Sequence, residues 1–370
     1  MILGTSSSPH HTARRSTQII MQLVMLAAIP GLLAQWYFFG WGVVIQLALA
    51  IVTCVGCEAL VLALRKKPVV FVLNDYSAVL TGWLLAICLP PLLPWWMTVI
   101  GCVFAIVIAK QLYGGLGFNI FNPAMIGYVV LLISFPAQMS QWLPVNGLAE
   151  LSPSLLDSLS VIFTGFTVSG HDIEQLRYTI DGVTSATPLD SVRTAITLNN
   201  TYSDAINSPV FNGGLLASWG AGWGWISAFY LLGGIALIMA NIINWRIPVS
   251  VLVGVAITAT VLNLLNGDLY GSAVYHWFNG AVMVGAFFIA TDPVSASTTA
   301  KGKVVFGALI GFWIVIIRTF GGYPDAVAFS ILFLNMSVPL IDYYTQPRTY
   351  GHSTKNRAEN SAEKRKKKSN

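Results

Sequence analysis

The sequence predicts an all-α integral membrane protein: ten transmembrane helices in a 5+5 inverted repeat, both termini cytoplasmic, and an external segment between helices five and six. Three observations carry this. Of 370 residues, 55% are hydrophobic and only 9% charged, against about 25% charge in a soluble domain. Ten apolar segments approach the length of a bilayer span. Two widely separated regions also echo each other.

A helix needs about 20 apolar residues to cross hydrocarbon. That rule gives ten ranges: 19–39, 43–64, 69–89, 95–110, 123–136, 222–243, 247–265, 272–291, 303–318 and 325–342. Segments 95–110 and 123–136 are short, and 69–89 carries the polar "NDYS", which shortens its embedded part. Residues 1–18 are polar and read as a cytoplasmic N-terminus without a cleavable signal. The resulting divisions are a first five-helix repeat over 19–136, an external segment over 137–215, a second repeat over 216–342 and a basic cytoplasmic tail over 343–370.

Orientation follows from the Lys/Arg excess on cytoplasmic loops. With ten spans and the N-terminus inside, the cytoplasmic side receives Arg14, Arg15, Arg65, Lys66, Lys67, Lys110, Arg246, Lys301, Lys303 and the eight bases of the tail. Only Arg177, Arg193 and Arg318 fall outside. Residues 137–215 then become external and carry seven acids against two arginines. The net charge of +5 reflects these orientation signals and the tail, which argues against a nucleic-acid partner. Cys54, Cys57, Cys88 and Cys102 all lie in apolar segments and read as small buried hydrophobes; no metal site is predicted.

The echo pairs "KQLYGGLGFNIFNPAMIGYVVLLISF" with "IRTFGGYPDAVAFSILFLNMSVPLI". Each has a base at a span end, an aromatic, Gly-Gly, a proline and a new helix. Upstream, "NDYSAVLTGWLLAICLPP" matches "HWFNGAVMVGAFFIATDP". Copies five spans apart point in opposite directions, which places a functional site at their interface. Gly114, Gly115 and Gly117 suggest close approach of backbone or a flat ligand. Asn119 and Asn122 are expected to cap a helix or bond inside the bundle, and Asp292 before Pro293 to cap a broken helix. Glu58, inside the second span, is the best-placed acid for ion coupling; pairing with an asparagine or reaching the interface is its bland alternative. Trp219, Trp223 and Trp225 read as interfacial residues; the alternative is that one of them stacks on a bound ring.

The external segment holds "DGVTSATPLD" (181–190). A hydroxyl row in water is ordinarily a solvated loop, and no G-x-S-x-G, P-loop or G-x-G-x-x-G accompanies it, so no residue is assigned a catalytic role. The run Asp181-Gly182-Val183-Thr184-Ser185-Ala186-Thr187, however, resembles the flavinylation motif in which a closing threonine carries FMN through a phosphoester. That resemblance implies Thr187 as the attachment point and Asp181, Gly182, Thr184, Ser185 and Ala186 as recognition residues. Together with "YGGLGFNIFNPA" (113–124) and "ATDPVSAST" (290–298), it extends over nearly the whole chain. The chain is similar to the RnfD family of the Rnf electron-transport complex, which is homologous to a membrane component of the Na⁺-translocating NADH:quinone reductase.

The resemblance implies a bacterial inner-membrane protein, its flavin-bearing segment periplasmic. It would couple NADH and ferredoxin redox chemistry to Na⁺ or H⁺ transfer, with other Rnf subunits as partners, among them an external FMN-bearing one. It also implies a second, non-covalent flavin, riboflavin, around Gly114, Gly115, Asn119 and Asn122. The competing class is a small-solute channel or transporter on the same inverted-repeat architecture, for which the hydroxyl row is only a loop.

Overall fold

The computed structural model describes residues 16–149, 151–177, 187–211, 218–322 and 326–347. Among them the chain is helical apart from one isolated antiparallel bridge, Phe166 to Asp172. The first half contains α1 (Thr17–Phe39), α2 (Gly42–Leu64), α3 (Val69–Leu73), α4 (Ser77–Ala86), α5 (Trp95–Val103) and α6 (Pro123–Ser134). Helix α5 continues directly as a π-helix over Phe104–Gln111. Next come α7 (Pro136–Met139), α8 (Leu155–Thr164), α9 (Pro188–Thr197) and α10 (Tyr202–Ile206). The second half contains α11 (Trp223–Met239), α12 (Arg246–Leu265), α13 (Ala273–Phe278), α14 (Val282–Val284), α15 (Ala300–Phe320) and α16 (Val327–Thr345). A second π-helix, Gly285–Ile289, extends α14.

Every one of the ten apolar ranges contains helix, and five helices (α1, α2, α12, α15 and α16) are long and apolar enough to cross a membrane. Their outer faces are as apolar as their inner ones: Val52 and Leu60 on α2, and Ile257 on α12, are 60% or more exposed. An amphipathic surface helix would show charge there. The chain thus has the exterior of an integral membrane protein.

Helix starts follow local chemistry. Asn122 caps α6, its Oδ1 accepting from the N–H groups of Ala124 (3.0 Å) and Met125 (3.3 Å), with Pro123 in the first turn. Thr299 caps α15 through Gly302 N–H at 2.9 Å. Asp292, expected to cap a helix, instead closes a turn by accepting from Ser295 Oγ at 2.8 Å. Thr299 is the residue that meets the free amides of the next helix, which begins only at Ala300.

Two runs are broken rather than continuous. Between α3 and α4 the chain turns at Asn74–Tyr76, where Asp75 Oδ1 accepts from Ser77 N–H at 2.7 Å. Between α13 and α14 it turns at Asn279 and Gly280, the glycine at φ 99°. There Asn279 accepts from Gly220 N–H (2.8 Å) and donates to Ser218 C=O (2.7 Å). Irregular backbone at membrane depth is tolerated only where inward-facing groups satisfy it, and both breaks meet that condition.

Residues 187–211 do not hang free. Leu189, Val192, Tyr202, Ala205 and Phe211 form their own buried cluster with Tyr275 of α13. Thr201 closes a capping box with Asp204, whose hydroxyl and amide bonds hold that carboxyl below the usual range.

The long helices meet through small residues. Helices α12 and α15 pack together most extensively, with Gly254 against Ala308, Gly307 against Ile247 and Gly311 against Val251. At each a Cβ would collide with a carbonyl oxygen, so backbone approaches backbone as in small-xxx-small interfaces. Gly311→Val should therefore force α12 and α15 apart and cost about 1–3 kcal/mol. A clear drop in thermal midpoint of the purified chain in detergent, absent in an exposed control such as Leu264→Val, would confirm it.

Candidate functional site

Thr187 is the first described residue after 177 and the N-cap of α9, its hydroxyl accepting from Asp190 N–H at 3.2 Å. The same hydroxyl donates to Asp190 Oδ2 at 2.8 Å. Thr187, Asp190 and Arg193, spaced by three, line one side of a cavity of about 340 Å³. That volume lies within the ~300–1,000 Å³ of small-molecule sites. The remaining walls come from both halves: Gln35 of α1 and Tyr128 of α6 from the first, Trp223 and Tyr230 of α11 from the second.

Much of this lining is fixed. Gln35 donates to Ile87 C=O at 3.0 Å and accepts from the Tyr230 hydroxyl at 2.9 Å. Trp142 and Trp223 meet edge to face, centroids 4.9 Å apart, with Phe39 against both. Of the three tryptophans singled out by sequence, only Trp223 lines the cavity. Trp219 is stacked on Phe278 at 4.4 Å, and Trp225 meets Trp219 at 5.7 Å. Asp181, Gly182, Thr184, Ser185 and Ala186 lie outside the described residues.

FMN fits this arrangement. A phosphate on Thr187 Oγ would sit at the amino end of α9, where the helix dipole favours an anion. Arg193 lines the same cavity. Asp190 would have to release the Thr187 oxygen, since ester formation removes the proton it now accepts.

Glu58 lies in a different, fully buried network. It and Lys110 are each 1% exposed and form an ion pair at 2.7 Å. Gln111 Nε2 also donates to Glu58 Oε1 at 2.7 Å, Lys110 donates to Ser77 Oγ at 2.7 Å, and Arg65 donates to Gln111 C=O at 3.0 Å. Lys110, counted by sequence among the exposed cytoplasmic bases, is therefore an internal counter-ion. It belongs to the π-helix, whose wider turn gives Lys110 and Gln111 a buried setting. An ion at Glu58 would have to displace the ammonium, because both carboxylate oxygens are engaged.

Asn119 and Asn122 line a second cavity, with Lys110 and Asp292, of about 150 Å³. Asn119 Oδ1 is buried there without a partner. The volume is below the ~300 Å³ lower end of ligand sites, so riboflavin does not fit without side-chain movement. Gly114 and Gly115 are not in its lining. Their φ values of 125° and 110° favour glycine at both positions, and open space lies beside Gly115. The echoing pair Gly321 and Gly322 borders other cavities, beside Arg193.

Residues 4–351 match the NQR2, RnfD, RnfE family. The D-type component of the ion-translocating oxidoreductase complex of Citrobacter koseri is 53% identical over 352 residues, 95% of this chain and 100% of its own length. The protein of the same name from Escherichia coli O127:H6 is 53% identical over 95% of this chain and 99% of its own. That from Vibrio cholerae serotype O1 is 54% identical over 353 residues, 95% and 100% respectively. The chain belongs to the NQR2, RnfD, RnfE family.

Sequence had singled out Glu58 but not its partner; a lysine at the end of an apolar segment looks the same whether it faces water or a carboxylate. Removing one member of a buried pair strands the other, at about 3–5 kcal/mol. Glu58→Gln and Lys110→Met should each lower the denaturation midpoint strongly, while the double variant Glu58→Leu/Lys110→Met recovers most of it. A double-mutant cycle on the purified chain measures this.

Proposed function

We propose that this member of the NQR2, RnfD, RnfE family is the membrane subunit of an ion-translocating oxidoreductase complex in which Thr187 carries FMN as an electron carrier. Electron transport would be coupled to Na⁺ or H⁺ movement, and the chain is not catalytic alone. The observation that carries the reading is the position of Thr187: a helix-capping hydroxyl at the edge of a 340 Å³ aromatic-walled cavity to which both halves contribute. The relatives' names, each a part of an ion-translocating oxidoreductase complex, support it independently.

The topology belongs to the same proposal: ten spans, 137–215 periplasmic, and the complex in a bacterial inner membrane. Its support is the pairing of helices. α1 packs on α11 and α6 on α16, the partners expected across a two-fold axis, and the two broken runs occupy equivalent places in the two halves. Interrupted segments in corresponding positions of two inverted halves point to a site at their interface.

The bound flavin would supply one- and two-electron transfer. The chain's own residues do the rest. Asp190 Oδ2, 2.8 Å from Thr187 Oγ, would take the hydroxyl proton when that oxygen displaces the nucleotide monophosphate from a flavin dinucleotide brought by the transferase, the phosphoanhydride bond breaking as the ester forms. Gln35 and Tyr230 fix the cavity floor, and Trp142 and Trp223 present ring edges and faces to a planar ligand. The apolar wall excludes water, which protects reduced carriers from side reactions. An external FMN-bearing subunit would deliver electrons from the periplasmic side.

Produced with its flavin transferase, the chain should give an ultraviolet-fluorescent band near its 40.0 kDa mass on a denaturing gel. The band should vanish in Thr187→Ala and persist in Thr184→Ala, and Asp190→Asn should slow its appearance. A dark wild-type band would refute the carrier reading and favour the small-solute channel.

A further inference from the structure

We propose that α8 lies in the outer leaflet of the bilayer, its exposed face against lipid acyl chains rather than water. This rests on the orientation proposed above, in which the starts of α2 and α5 face the periplasm. It refines that reading for residues 155–168, which would otherwise be a solvated part of the external segment.

The outer face of α8 is apolar. Its inner face buries Ser158, Val161 and Ile162 and packs on α2. On the other side Leu156 and Phe163, seven positions apart and so on one stripe, are 66% and 53% exposed. The stripe continues past the Gly165 cap to the exposed Phe166 and to Val168, 74% exposed. A helix with one face on protein and the other in water carries charge outside. α8 has no Lys or Arg and a single acid, Asp157.

The polar groups give a second, independent observation. Asp157 Oδ2 accepts from Ser154 Oγ at 2.7 Å, and its Oδ1 from Val168 N–H at 3.2 Å. Ser158 Oγ donates to Ser154 C=O at 2.8 Å, and Thr164 Oγ to Ser160 C=O at 2.7 Å. Hydroxyls that bond back to the helix's own carbonyls do not need water. That is the condition for setting polar residues against lipid.

The level of α8 agrees. Trp41 before α2, and Trp95 and Trp96 at the start of α5, are all exposed, as in an interfacial aromatic belt. Phe163 stacks on Trp95, ring centroids 6.3 Å apart and planes at 22°, so the outer stripe of α8 starts at that belt. A helix of this length covers about 15 Å, roughly half the hydrocarbon thickness, so α8 lies along the leaflet and does not cross it. Without a basic residue to hold an anionic headgroup, its attachment is acyl contact and should not depend on lipid charge. The external segment is then held twice, at α8 by lipid and over 187–211 by packing on Tyr275. Both ties keep Thr187 close to the membrane surface.

The test uses the full-length chain with its four cysteines replaced by alanine. A nitroxide is placed in turn at Leu156→Cys, Phe163→Cys, Leu60→Cys and Asn200→Cys. Each variant is reconstituted in phosphatidylcholine vesicles, with and without phosphatidylglycerol. Power-saturation spin resonance compares collisions with oxygen, which concentrates in lipid, and with a water-soluble nickel chelate. At Leu156 and Phe163 oxygen should dominate, as at the outward-facing Leu60, and equally in both lipid mixtures. At the exposed Asn200 the chelate should dominate. Dominance of the chelate at both α8 positions would overturn the proposal in favour of a solvated helix. Few collisions with either probe there would overturn it in favour of a protein cover. Orientation is read separately, by an impermeant thiol reagent added outside intact cells to unlabelled Asn200→Cys. Failure to react would refute the orientation and the outer-leaflet assignment, whatever the spin labels report of acyl contact.

Discussion

The constraint on which the structure depends is an apolar exterior. With Val52, Leu60 and Ile257 facing outward, association of helices gains nothing from hiding hydrophobic surface, since hydrocarbon is already the solvent. Cohesion has to come from close backbone contact and from polar groups satisfied inside. Both are present. Gly254, Gly307 and Gly311 let α12 and α15 touch, and the Glu58–Lys110–Ser77–Gln111 network joins α2, α4 and the π-helix following α5.

The same constraint explains where the backbone departs from regular helix. The breaks at Asn74–Tyr76 and at Asn279–Ala281 free amides and carbonyls that would be costly against lipid. Each is answered by a local or tertiary partner: Asp75 in the first case, Asn279 bridging to Gly220 and Ser218 in the second. The π-helices serve a related end. One contributes Lys110 to the carboxylate of Glu58, and the other offers Ile289 C=O to Asn122 Nδ2 at 3.4 Å.

The two halves meet around a cavity. The cavity beside Thr187 draws walls from α1, α6, α9 and α11, so no single helix defines it, and a ligand held there touches both halves at once. Arg193 also borders a neighbouring cavity. One residue of α9 thus stands between two cavities: one with aromatic walls beside Asp190, the other with His276 and Arg318 in its lining.

Composition and periodicity determined what depends on one segment at a time. The apolar runs all contain helix, and Asn122, a polar group costly in lipid, caps one of them. Pairing lay beyond sequence. Lys110 reads as an interfacial base until Glu58 is seen 2.7 Å away, and the two are 52 positions apart. The positive φ of Gly114 and Gly115 likewise appears only once the backbone is folded. The convergence of Arg193, His276 and Arg318 involves three elements from two regions of the chain. Local chemistry chooses each helix and its ends, but which buried charge meets which partner is set by distances that exist only once the helices have packed.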